Sequence, residues 1–233
     1  MATKNKVIFW DFDGTLVSFS SWRFAIVDVL NECEPGHNID ADQPRPFLRD
    51  GFPWHRPEEP HTQLANADGW WKALEPLFTR CYQGLGYSPE RAAKLATQVR
   101  RQILKPERYS LFDDTITVLA ELREAGWRHV ILSNHVPELS EIVNGLGLST
   151  YIDDCISSGA TGYEKPNPQA FRLALSKAGN PETAWMVGDN LLSDIRGAEA
   201  MGIPAILVHT VKPDETKYYA PDLRGAAVII TSK

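Results

Sequence analysis

Short runs of strand character alternate with stretches of helical periodicity through the second half of the chain, and this alternation most constrains the fold. The strand-like runs are His129–Leu132, Asp154–Ser157, Ala184–Val187 and Ala205–Val208. The helical stretches are Asp113–Ala125, Pro137–Leu146, Pro168–Ala178 and Leu191–Met201. Strands separated by helices are joined by crossovers, and crossovers make neighbouring strands parallel. Helices then cover both faces of the sheet, so its strands read as unbroken apolar runs. Val7-Ile8-Phe9-Trp10 has the same character and belongs with this set. Ala227–Ile230 is a candidate last strand. The expectation is an α/β fold with a parallel sheet.

Between the first strand and Leu111 the texture is different. Phe19, Trp22, Phe24, Ile26, Val27 and Leu30 give a helical apolar face running through Cys33. Trp70, Trp71, Leu74, Leu77, Phe78 and Cys81 give another over Asp68–Gly84. Ser88 with Pro89 reads as an N-cap and first helical residue, opening a helix to about Leu104 that Lys105-Pro106 stops. Glu34–Thr62, between the first two helices, carries Pro35, Pro44, Pro46, Pro53, Pro57 and Pro60. Prolines at that density preclude a regular helix or a central strand. A loop so long in a compact domain is functional or mobile; a specificity lid and a dimer contact are both open. The segment 18–107 therefore reads as a helical insert in an α/β core formed by residues 1–17 and 108–233.

Composition narrows the partners. A net charge of −6 leaves no electrostatic footprint for nucleic acid. No apolar run approaches the ~20 residues of a membrane span, and the first one, four residues long, ends in two carboxylates rather than a secretory cleavage site. Cys33, Cys81 and Cys155 are too scattered for a disulfide framework or a metal-binding pair, so reduced thiols in a cytoplasmic protein are expected.

Polar groups recur at one place, just beyond the strand-like runs. Asp11, Asp13 and Thr15 follow Trp10; Ser133-Asn134 follows Leu132; Gly188-Asp189 follows Val187, with Asp194 five residues on. Lys165 sits in the stiff stretch Glu164-Lys165-Pro166-Asn167-Pro168 ahead of another helix. Open α/β sheets bind ligands at the carboxyl ends of their strands. Residues two apart on an extended chain share a face, so Asp11 and Asp13 project together. Each feature alone has an ordinary explanation: a solvated acidic turn, a helix cap, an exposed lysine. Four in register make a site. Several carboxylate oxygens suit Mg²⁺, which binds through few protein ligands plus substrate phosphate. A lysine and a hydroxyl suit the remaining phosphate oxygens.

The ordered set Asp11-Phe12-Asp13-Gly14-Thr15, Ser133-Asn134, Lys165-Pro166 and Gly188-Asp189 through Asp194 resembles the four motifs of the haloacid dehalogenase (HAD) superfamily. The resemblance covers the whole chain and implies a Rossmann-like core with a helical cap of the C1 type inserted after the first strand. It implies that Asp11 is a nucleophile forming an aspartyl-phosphate and that Asp13 is the general acid and then the base. Asp11, the Asp13 backbone carbonyl and Asp189 would hold Mg²⁺. Ser133 and Lys165 would hold the phosphoryl group, Thr15 and Asn134 would join them in binding substrate, Thr15 would also support the loop and the acid, and Asp194 would orient Lys165 or a metal-bound water.

Within the family, dehalogenases and phosphonatases depart from the second aspartate, which is intact here. The resemblance therefore implies a Mg²⁺-dependent phosphatase acting on a small phosphorylated substrate as a monomer or homodimer. A β-type sugar phosphomutase and a non-catalytic binding module are the alternatives. Sugar phosphates, nucleotides and phosphoglycolate-like acids all fit a small capped site, whereas polymeric substrates do not. Trp22 and Arg23 open the first insert helix and either face substrate or pack; His135 is a candidate for the entrance. Trp70-Trp71 reads as insert core or as a contact to the α/β core. Arg45, Arg49, His55, Arg56 and His61 read as a solvated loop.

Overall fold

The computed structural model describes residues 5–19, 21–211 and 216–233. Residues 1–4 of the expected core and Ser20 of the expected insert lie outside them. The described strands are β1 (Lys6–Trp10), β2 (Val17–Phe19), β3 (Tyr109–Leu111), β4 (Arg128–Ser133), β5 (Asp154–Ser157), β6 (Thr183–Gly188) and β7 (Ala205–Leu207). The main sheet is parallel throughout, in the order β5-β4-β1-β6-β7. β2 and β3 form a separate antiparallel pair.

The helices are α1 (Trp22–Cys33), α2 (Ala67–Gly84), α3 (Pro89–Ala96), α4 (Val99–Ile103), α5 (Thr115–Glu124), α6 (Leu139–Gly145), α7 (Ser158–Thr161), α8 (Pro168–Lys177), α9 (Gly197–Glu199) and α10 (Leu223–Thr231).

Alternation along β1 splits the apolar residues between two layers. Val7 and Phe9 pack with Phe171, Ile195, Ala198 and Leu207 on one face. Ile8 and Trp10 pack with Leu119, Leu223 and Ile230 on the other. These four β1 side chains are fully buried, and burying each aromatic or aliphatic group stabilises the fold by about 1.5–3 kcal/mol. The polar atoms of Trp10 and His129 in this layer are satisfied: Trp10 Nε1 donates to His129 Nδ1 (3.0 Å), and His129 Nε2 lies 3.0 Å from the Leu119 carbonyl. Burial holds the His129 imidazole neutral, its pKa lowered to about 4.

Four expectations are corrected. Ala227–Ile230 is not a strand but part of α10. Its buried residues Leu223, Ala226, Ala227 and Ile230 follow helical spacing, and Asp222 caps the helix by accepting from the Gly225 N–H. Phe19 lies in β2, ahead of the first helix, because the chain must cross from the sheet before it turns. The helix opened by Ser88 breaks into α3 and α4 around Thr97-Gln98. The stretch Leu191–Met201 starts as a π-helical turn over Leu191–Arg196, capped by Asn190, and only then becomes α9. Such widened turns favour functional sites.

The chain leaves the main sheet through β2 and returns through β3, so the whole segment between them is tied at one paired crossing. Its helices bury a dense aromatic set including Trp70, Trp71, Phe78 and Tyr82. The proline-rich stretch holds no α-helix, only single 3₁₀ turns at Arg45–Leu48, Pro53–His55 and Thr62–Leu64. It folds back onto the sheet domain: the His61 N–H donates to Gly162 O (2.7 Å), and Asn167 Nδ2 donates to Pro57 O (3.0 Å). A second contact crosses nearby. The buried Glu138 carboxylate, at the start of α6, accepts from Trp71 Nε1 (3.1 Å) and from Arg100 Nε (2.8 Å). Trp71 thus serves both as insert core and as a contact to the α/β core.

Candidate active site

Strand register sets the site. Trp10 stands opposite Ile131 of β4 and Val187 of β6, so the three central strands end at nearly one level. Asp11, Ser133 and Asp189 leave those ends together, at the topological switch point of an open sheet. Two glycines let the loops close. Gly14 has φ +79°, and a Cβ on it would overlap the Asp189 carboxylate. A Cβ on Gly188 would overlap Asp194 in the same way. Only hydrogen fits at either position.

Lys165 is the electrostatic centre. Its side chain is 2% exposed, and Nζ donates to Asp11 Oδ1 (2.8 Å) and to Asp194 Oδ1 (2.6 Å). Burial disfavours the ammonium, but Asp11 and Asp194 more than offset it, so the lysine pKa is raised and the group stays charged. Asn134 fixes the lysine backbone reciprocally: its Oδ1 accepts from the Lys165 N–H (2.7 Å) and its Nδ2 donates to Lys165 O (2.8 Å). Asn134 thus holds the lysine in place with the polar atoms that the sequence offered to a substrate.

Asp194 is fully buried and its oxygens are committed. Oδ1 accepts from Lys165 and from Ser193 Oγ (3.2 Å), and Oδ2 accepts from the Asn190 N–H (3.0 Å). Burial raises its pKa to about 6. Burial, then the charges of Asp11 and Asp194, raise Asp189 to about 7. Burial is also the first cause, ahead of Asp11 and Asp189, of a pKa for Asp13 well above the usual carboxylate range. Asp13 Oδ1 is buried without a hydrogen-bond partner among the described residues.

Carboxylate oxygens of Asp11, Asp189 and Asp194 lie within 4.8 Å of one another. The donor set is all oxygen, which fits a hard cation such as Mg²⁺. Since Asp194 is spent on Lys165 and Asn190, Asp11 and Asp189 remain for a cation. The unpartnered Asp13 Oδ1 and the raised Asp189 mark a place where acidic groups are crowded.

Asp11, Asp13, Lys165 and Asp189 floor a cavity of about 490 Å³. Ser133 is at its floor, 2% exposed. Thr15 is fully buried beneath the loop and does not line the cavity. His135 does line it, but from a buried position: Nε2 is 3.6 Å from Asp13 Oδ2 and 3.5 Å from the Tyr109 hydroxyl. Burial lowers its pKa to about 4, so it is neutral. Trp22 lines the cavity and also packs on Phe78 and Phe52. Trp54, Pro57 and Tyr109 line the cavity without having stood out in the sequence. Trp54 had one signal, a large aromatic two residues from Phe52 in an otherwise polar, proline-rich stretch. Arg23, Arg45, Arg49 and His55 line a separate depression.

A family model described as haloacid dehalogenase-like hydrolase matches residues 5–202. The chain is similar to a phosphoserine phosphatase of Thermus thermophilus, 38% identical over 152 residues that cover 64% of this chain and 60% of that protein. The match therefore spans less than two thirds of that relative's length. Two solved structures share the fold. The HAD hydrolase YfnB of Bacillus subtilis, bound to magnesium and showing interdomain movement, superposes with a TM-score of 0.76 at 17% identity, covering 97% of this chain and 98% of that one. A 2-haloacid dehalogenase of Pseudomonas syringae superposes with 0.69 at 20% identity over 97% and 98% of the two chains. No described helix is long and apolar enough to cross a membrane.

Proposed function

The chain belongs to the haloacid dehalogenase-like hydrolases, and on that premise we propose that it is a Mg²⁺-dependent phosphatase acting in the cytoplasm on a small phosphate monoester. The observation that carries this reading is the buried Lys165 ammonium held between Asp11 and Asp194, with Asp13 beside it. Phosphoryl transfer needs positioning and charge neutralisation more than new bonds from the protein.

In the proposed reaction an Asp11 oxygen attacks phosphorus and the bond to the leaving oxygen breaks. Asp13, protonated because burial and its acidic neighbours raise its pKa, donates that proton to the departing alkoxide. Asp13, now a carboxylate, takes a proton from water as the water oxygen attacks phosphorus. The phosphorus–Asp11 bond breaks and phosphate leaves. Lys165 and Ser133 hold the phosphoryl oxygens, Asn134 holds Lys165, and Thr15 supports the loop. Asp11, the Asp13 carbonyl and Asp189 would hold Mg²⁺, which would neutralise phosphoryl charge when bound. An intact Asp13 disfavours dehalogenation, which needs no acid for a halide leaving group.

Residues 18–107 are proposed as the cap and residues 1–17 and 108–233 as the catalytic core. The paired crossing at β2 and β3 supports a hinge there, and interdomain movement is described for YfnB. The test is phosphate release from a set of small esters with Mg²⁺ and with EDTA. The expected result is release that EDTA abolishes and added Mg²⁺ restores. Release that persists in EDTA would overturn the metal dependence.

A further inference from the structure

Resting on the phosphatase reading, we propose that the preferred substrate is the phosphate ester of an alcohol carrying a compact, uncharged ring. The cavity has two unlike halves. Polar groups at the strand ends make its floor; Phe19, Trp22, Trp54, Pro57 and Tyr109 make the facing wall.

The aromatic half adjoins the group that protonates the leaving oxygen. His135 lies 3.6 Å from Asp13 and 3.5 Å from Tyr109, and Tyr109 stacks on Phe19 with ring centres 5.0 Å apart and 21° between planes. The departing alcohol therefore leaves along rings. A second tier of rings fixes the first. Phe52 stacks behind Trp54 (4.5 Å, 9°), Phe78 behind Trp22 (5.8 Å, 15°), and the two tryptophans meet at 5.9 Å. Flat faces held by a packed layer favour a planar group at little entropic cost.

Charge argues the same way. Among the described residues, Lys165 is the one lining side chain that is cationic, and both its carboxylate partners already claim it. His135 is neutral. A carboxylate or a second phosphate on the alcohol would meet no free cation here and would face Asp11, Asp13 and Asp189. The arginines nearby do not change this: Arg23, Arg45 and Arg49 line a separate depression that shares only Ser21, Trp22 and Trp54 with the cavity, and Arg23 and Arg45 converge on Asp42. The cavity volume of about 490 Å³ admits a phosphoryl group and one small ring system.

The test compares kcat/KM for benzyl phosphate, glycerol 3-phosphate, phosphoserine, phosphocholine and a sugar bisphosphate in Mg²⁺. All are alkyl esters, so leaving-group reactivity is matched and the cavity decides. Acetyl phosphate reports turnover independent of the alcohol. We expect benzyl phosphate to exceed the other alkyl esters by about tenfold or more, the worth of one well-packed ring. Trp54→Ala should raise KM for benzyl phosphate about tenfold with kcat little changed, and Trp54→Phe should recover most of the loss. Near-ultraviolet circular dichroism checks that each variant is folded. Phosphoserine or the bisphosphate matching benzyl phosphate would overturn the proposal, as would a preference for phosphocholine, which would make the wall a cation site. Turnover of acetyl phosphate without ring preference defeats this proposal alone. Turnover of nothing, acetyl phosphate included, defeats the phosphatase reading and this proposal with it.

Discussion

At the carboxyl ends of β1, β4 and β6 the site side chains are polar and buried or half-buried, and most are tied to a named neighbour: Lys165 to two aspartates, Asn134 to the lysine backbone, Asp194 to the Asn190 N–H. Across the cavity, in the segment between β2 and β3, the facing side chains are rings held by other rings. The first region fixes charge to within hydrogen-bond geometry, because an unpaired buried charge is costly. The second fixes shape, because aromatic packing is tolerant in direction and additive in area. One region is therefore suited to a reaction common to many substrates and the other to choosing among them.

Substitutions should separate the two regions by size of effect. Lys165→Met removes the one cation between Asp11 and Asp194 and leaves two buried carboxylates in mutual repulsion. We expect a loss of about 3–5 kcal/mol in stability by urea unfolding and of about 10³-fold or more in kcat. Unchanged stability would mean that the lysine is not integrated with the acids as described.

The junction between the regions comes next. Glu138→Ala strands the Trp71 Nε1 donor and removes one of two partners of Arg100, which keeps Asp68. The expected loss is about 1–3 kcal/mol by urea unfolding, with KM affected more than kcat. An effect on kcat alone would place Glu138 with the floor instead.

The metal response should depend on pH. Asp189 and Asp194 are raised to about 7 and about 6 in the metal-free protein. A raised carboxylate pKa means that the folded state holds its proton more tightly. Stability contributed by that proton is fully present at low pH and is lost as pH rises from the unfolded value near 4 through the folded values. A divalent cation held by Asp11 and Asp189 replaces the Asp189 proton above that window. At a concentration tenfold above its Kd at pH 8, Mg²⁺ should therefore raise Tm by about 3–6 °C, and by less at the same concentration at pH 5. An equal shift at both values would contradict it. The smallest effect is expected at Arg49, outside the cavity: Arg49→Ala should change stability by about 0.5 kcal/mol or less by urea unfolding.

Much of the first region was legible in the sequence and much of the second was not. Strand ends with carboxylates, a hydroxyl and a lysine are local signals, and parallel pairing brings them together whatever lies between. Asp11, Asp13, Ser133, Lys165 and Asp189 all reach one cavity for that reason. The aromatic wall is non-local. Trp54 gets there only because residues near Pro57 and His61 dock on Asn167 and Gly162, contacts made by backbone carbonyls and amides that no composition reveals. The helix at Leu223–Thr231 was hidden by its run of Val228, Ile229 and Ile230, whose branched side chains read as strand; the Asp222 cap and the spacing of buried residues mark it as helix. Thr15 and Asn134 had the right chemistry for substrate, but one is buried and the other is paired with Lys165.

The central claim is that Asp11 carries the phosphoryl group. Asp11→Asn keeps the side-chain shape and removes the nucleophile. The measurement is phosphate release by folded wild type and variant, side by side in saturating Mg²⁺. The account requires kcat to fall by about 10⁴-fold or more, as for other covalent nucleophiles. A variant releasing phosphate within about tenfold of wild type would contradict the aspartyl-phosphate mechanism.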